Sequence, residues 1–167
     1  MKKRMMTLLA ALMAAGLLSA QAQESSGRFG GGVNYWVALD DIDIDNVDED
    51  GFSYFITYKK QSGLFGLQLD LEYFDSRFQD DAYAPAAYLI AGNAIYLSAG
   101  IGWVYENDWA DDPFYALKAG LDIALTKRIH LDLGVSYRVE GSVDLDDAID
   151  DIDTDTLYLG AAVRFGL

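Results

Sequence analysis

The side chains of this 167-residue chain that could do chemistry are a single histidine, His130, and a large excess of aspartates. A nucleophilic site needs a hydroxyl or thiol, a base within hydrogen-bond reach and a third group to orient that base. Cysteine is absent, and Asp132 stands where a His-x-Ser pattern starting at His130 would place its serine. The runs Asp40 to Asn46 and Asp144 to Asp153 offer hard oxygen ligands, with Asp41, Asp43, Asp45, Asp146 and Asp150 the candidates for weak cation binding. They do not build an EF-hand. The series from Asp41 puts Asn46 where the sharp turn needs glycine and Phe52 where the bidentate glutamate belongs. Gly30-Gly31-Gly32 lies inside an expected strand with no helix after it, so it is not a phosphate loop. These patterns assign no catalytic residue and no cofactor.

The elements that would position such groups are strands. From Ile129 to Val139 every odd position is large and apolar while every even one is polar, charged or glycine. That is strict period-two alternation, greasy on one face and wet on the other. The rhythm predicts strands over 28–38, 52–60, 64–74, 85–92, 94–105, 113–125, 129–139 and 156–167. Each is near the roughly 9–11 residues a tilted strand needs to cross a bilayer. Ahead of them, Lys2, Lys3 and Arg4 precede an apolar stretch from Met5 to Leu18 and the small-residue tripeptide Ala20-Gln21-Ala22. This is the layout of a secretory signal peptide over residues 1–22, cleaved after Ala22, followed by one domain over 23–167. The apolar stretch is shorter than the ~20 residues of a spanning helix. With no cysteine, an exported domain must rely on strand pairing rather than disulfides.

Long connections after the odd strands (39–51, 75–84, 106–112, 140–155) alternate with short ones (61–63, around Asn93, 126–128), as in an up-and-down meander. The long ones hold 22 of the 27 acidic residues, and the short ones hold none but carry Lys127 and Arg128. Pro85 and Pro113 are each expected to open a strand at a loop boundary, where a missing N–H costs little. The formal charge is −15, or −18 after loss of the three N-terminal cations, which excludes a nucleic-acid partner.

Alternation alone permits a soluble, lipocalin-like barrel with its apolar face inward. The membrane alternative is favoured by aliphatic residues in mid-strand and aromatic ones toward the ends, with Tyr35, Tyr54, Tyr73, Tyr105 and Tyr137 suited to an interfacial girdle. The opposite face carries Arg28, Lys59, Lys118, Arg138 and Arg164 against Asp70, Glu72, Asp122 and Asp132, with many glycines and alanines. Such a near balance implies an ion-paired, plugged lumen, with Arg138 expected on one of the acids, because buried charges must be paired. The last strand sets Tyr158, Gly160, Val163 and Phe165 in the spacing of a C-terminal assembly signal.

On these residues the chain resembles the small eight-stranded OmpA/OmpX-like outer-membrane barrel family. It departs from that family's usual aromatic terminus by running on to Leu167. The resemblance implies an all-β, eight-stranded antiparallel up-and-down transmembrane β-barrel in a Gram-negative-type outer membrane. It would be monomeric, with acidic loops outside, and its partners would be membrane lipids, lipopolysaccharide and the barrel-assembly machinery. The implied role is structural or surface-interacting and not catalytic. A narrow channel or hydrophobic-ligand barrel is the alternative. A lipid A-modifying barrel enzyme ranks lower, because Asp132 replaces the serine and alternation turns His130 into the lumen.

Overall fold

In the computed structural model, residues 26–39, 50–74, 81–105, 110, 112–139 and 155–167 are described. They form eight strands: β1 (Ser26–Ala38), β2 (Asp50–Ser62), β3 (Phe65–Phe74), β4 (Ala82–Gly92), β5 (Ile95–Gly102), β6 (Phe114–Ala124), β7 (Ile129–Val139) and β8 (Asp155–Gly166). Every neighbouring pair is antiparallel, and β8 closes on β1 from Arg28↔Gly166 to Ala38↔Thr156. Closure leaves no free edge, the geometry by which strands can satisfy all their backbone groups without water.

Alternation sorts the side chains as expected. Leu89, Leu97, Leu117 and Leu159 point outward and are more than half exposed, whereas Arg164, Lys59, Gln68 and Glu72 point inward and are buried. Aromatic residues crowd the ends of the outward face. Phe52, Tyr54 and Tyr115 stand at the long-loop end, and Phe29, Phe65 and Phe165 at the short-turn end. The short turns are tight: Gly63 between β2 and β3 has φ +60°, a conformation that disfavours any other residue.

Two expectations need correction: β3 pairs with β4 past Pro85 as far as Phe74↔Ala82, and the β4–β5 ladder breaks opposite that proline. Pro85 does not open a strand but sits inside β4, and β5 stops at Gly102 rather than reaching 105. Trp103 N donates to Pro85 O, but proline has no N–H to return to Trp103. The ladder therefore breaks there and resumes only as an isolated bridge, where Tyr83 and Tyr105 exchange both backbone bonds. Pro113 lies just before β6, at the boundary expected.

Candidate functional site

The inward faces stack into layers from the short-turn end upward. At the bottom, Asp122 of β6 receives Arg28 Nη1 and Lys59 Nζ, each at 2.7 Å, and its other oxygen lies 2.8 Å from His130 Nδ1. Strands β1, β2, β6 and β7 thus converge on one carboxylate.

In the next layer Tyr96 OH donates to Asp132 at 2.8 Å, and Lys118 Nζ stands 3.7 Å from the same oxygen. Arg164 Nη1 lies 2.6 Å from the other oxygen of Asp132, a charge contact without hydrogen-bond alignment. Lys59 Nζ sits 4.3 Å above the Tyr96 ring centroid, which ties the two layers together. Asp70 accepts from Gln68 Nε2 through both of its oxygens, at 3.0 and 2.7 Å.

Higher again, Glu72 of β3 is engaged through both of its oxygens. Asn34 Nδ2 at 2.6 Å and Ser53 Oγ donate to one oxygen, and Arg138 Nη2 donates to the other. The Arg138 guanidinium lies 3.9 Å from the Tyr158 ring centroid and 4.9 Å from that of Phe114. It forms the floor of an apolar layer in which Trp36, Phe74, Ala82, Ala84, Val104 and Phe114 pack at the long-loop end. Between the Asp132 and Glu72 layers lies an enclosed cavity of about 20 Å³, lined by Asp70, Glu72, Lys118, Ser136 and Arg138 among others.

All nine residues of the expected charge network face this interior: Arg28, Lys59, Asp70, Glu72, Lys118, Asp122, Asp132, Arg138 and Arg164. The structure joins eight of them in ion pairs, while Asp70 is met by the neutral Gln68. His130 Nδ1 meets the same Asp122 carboxylate that Arg28 and Lys59 engage, and position 132 holds an ion-paired aspartate. The four residues of the C-terminal pattern divide between faces. Tyr158 and Gly160 point into the lumen, and Val163 and Phe165 point outward. Asp41, Asp43, Asp45, Asp146 and Asp150 lie outside the described residues, as does the 1–22 segment. Among the described residues no group of three or more His, Cys, Asp or Glu side chains could hold a metal ion.

Sequence reasoning missed the inward aromatic residues. Trp36, Phe55, Tyr88, Tyr96 and Phe114 share the parity of the polar residues on their strands, and each faces a glycine across the ladder: Gly51, Gly32, Gly100, Gly120 and Gly102. A Cβ at any of these glycines would overlap the facing ring. The missing side chain lets each ring lie flat over the neighbouring strand, an arrangement that also pins register. The glycines therefore accommodate aromatic rings more than the long charged side chains.

A family profile for the outer membrane protein beta-barrel domain matches residues 7–165. No curated protein shows significant similarity to the chain. Among solved structures, Neisserial surface protein A is similar at 16% identity and a TM-score of 0.63, with 87% of this chain and all of that one covered. OprG from Pseudomonas aeruginosa shares 13% identity over 85% of this chain and 93% of that one, with a TM-score of 0.47. Ail of Yersinia pestis shares 18% over 84% and 97%, with a TM-score of 0.39. With a closed eight-stranded barrel, an apolar exterior and a family match over nearly its whole length, the chain belongs to the outer membrane protein beta-barrel domain family and is a small β-barrel protein of the Gram-negative outer membrane.

Proposed function

We propose that this protein is a closed, non-catalytic outer-membrane barrel with a structural or surface-interaction role, monomeric, and exported through a signal peptide cleaved after Ala22. The observation that carries this reading is the filled lumen, with ion-paired layers below and an aromatic layer above. An eight-stranded barrel is only wide enough for side chains to fill. Family members place short turns in the periplasm and long loops outside. By that rule, the end carrying Asp50, Asp81, Asp112 and Asp155 is extracellular. At that end the described residues include one cation, Arg138, and it points inward. An acidic face of this kind favours weak, salt-sensitive association with divalent cations, with cation-bridged lipopolysaccharide or with a basic partner. Assembly would use the Tyr158, Gly160, Val163 and Phe165 strand as the signal to the barrel-assembly machinery.

The test is purified protein refolded in detergent and inserted into planar bilayers, alongside hydrolysis assays on phospholipid and lipid A. A plugged barrel gives no large, stable conductance and releases no acyl chain. Sustained conductance would overturn the plug, and release of fatty acid the non-catalytic reading.

A further inference from the structure

Most of the outward surface is convex and needs only fluid lipid. One region differs. Across β1, β8, β7 and β6 runs a shallow, open apolar groove of about 690 Å³. Its floor is made by Ala119, Ala161 and the backbone of Gly120, Gly134 and Gly160, and its walls include Leu133 and Leu159. The three glycines are register partners whose missing side chains lie on the lumen side, so the depression on the outer face comes from Ala119 and Ala161, the small members of the outward rows on either side of that line.

The charged groups above the groove and below it differ in sign. At the upper end Tyr35 OH holds the exposed Asp50 carboxylate at 2.8 Å, which repels an anionic headgroup. Below the groove, Leu133 leads down β7 through Leu131 to Ile129 and the β6–β7 turn, where Lys127 and Arg128 are both exposed. Four residues of strand cover roughly 13 Å, and less along the membrane normal because the strand is tilted. One leaflet of the hydrocarbon core is about 15 Å thick, so a chain anchored at the turn reaches the groove floor. Between that turn and the Tyr137–Asp155 pair, the outward faces of β6, β7 and β8 carry no charged side chain.

We propose that this groove is the seat of one anionic phospholipid, of phosphatidylglycerol type, with its headgroup phosphate on Lys127 and Arg128 and an acyl chain lying over Ala161 and Ala119. The choice of lipid rests on charge complementarity at the turn, and the choice of seat on the small-residue floor. The proposal rests on the membrane reading above.

The probe is a lipid nanodisc of phosphatidylethanolamine and phosphatidylglycerol holding the full-length mature barrel, read by native mass spectrometry after release. Wild-type protein should keep one phosphatidylglycerol, enriched on the order of tenfold over its share of the nanodisc. The exposed turn variant Lys127→Gln/Arg128→Gln should lose that enrichment and stay folded. Ala161→Phe should fill the floor and reduce retention of either lipid. Both leaflets have the same composition, so the result does not depend on which end of the barrel faces outside. Failure to insert into the nanodisc would sink the membrane reading itself. Insertion with lipids retained in the bulk ratio overturns the lipid seat alone, as would enrichment that survives the turn variant. A two-chain mass that Ala161→Phe converts to one chain would assign the groove to a second copy and overturn it too.

Discussion

The Glu72–Arg138 pair lets the energetics of the lumen be worked through one substitution. Arg138 is 5% exposed and Glu72 2%, so neither can be solvated if its partner is lost. Glu72→Gln keeps the shape, and the amide oxygen can still accept from Asn34 and Ser53. It removes the counter-charge and turns an N–H donor group toward the guanidinium. Breaking a buried pair by removing one partner costs about 3–5 kcal/mol. The rings of Tyr158 and Phe114, at 3.9 and 4.9 Å from Arg138, return part of that, about 0.5–2 kcal/mol. The expected loss is therefore ~3 kcal/mol.

Arg138→Met alone strands the carboxylate, although Asn34 and Ser53 still donate to it, so the expected loss is ~2 kcal/mol. The double variant Glu72→Gln/Arg138→Met removes both charges and should lie closer to wild type than the sum of the singles, with a coupling of about 2 kcal/mol. Urea-induced unfolding in phospholipid vesicles, followed by tryptophan fluorescence under reversible conditions, measures all four corners of the cycle. A Glu72→Gln variant within about 0.5 kcal/mol of wild type, or strictly additive singles, would refute the view that this pair is held dry inside the barrel.

Three further outcomes are expected. Leu133→Arg places a cation on the lipid face and should destabilise the barrel by about 2–4 kcal/mol in vesicles, whereas Lys127→Arg at the exposed turn should change stability by less than ~0.5 kcal/mol; equal effects would place Leu133 out of the hydrocarbon. Gly120→Ala drives a methyl group into the Tyr96 ring and should cost about 1–3 kcal/mol, with most of the cost relieved in the Gly120→Ala/Tyr96→Leu double variant; no relief would separate the glycine from the ring. Pro85→Ala supplies the missing donor to Trp103 O, and the new amide at position 85 should exchange with deuterium as slowly as its β4 neighbours in NMR-monitored exchange; fast exchange there would mean the ladder gap has another cause.

The strands were legible because the bilayer and the lumen read opposite faces of every one of them. Where Phe65, Leu67, Leu69, Leu71 and Tyr73 alternate with Gly66, Gln68, Asp70 and Glu72, parity alone gives the orientation of β3. Its end points were less legible, since period two says nothing about where a ladder loses a bond. The end of β5 is decided by Pro85 on another strand, through a register that no local window contains. The inward aromatic residues were hidden for a similar reason. Tyr88 or Phe114, read within its own strand, looks like a lapse in the polar face. Its sense appears only when Gly100 or Gly102 is placed opposite it.

Counting charges raised the expectation of a paired lumen but said nothing of its arrangement. Five cations against four acids looks like a small imbalance, and a buried surplus charge would be expensive wherever it lay. The structure spreads the surplus over two carboxylates, each of which meets two cations. Of the two most enclosed arginines, Arg138 has the Glu72 carboxylate to itself among the described residues, and Arg164 shares Asp132 with Lys118. Arg28 and Lys59 share Asp122 at the short-turn mouth, where the Arg28 side chain keeps 16% of its surface in contact with solvent. Above Arg138 the inward charges of the described residues stop and aromatic packing takes over. The lumen therefore grades from carboxylates that each meet two cations, Asp122 and Asp132, through the single Glu72–Arg138 pair, to an aromatic layer. This order follows from the cost of burying charge rather than from any one motif.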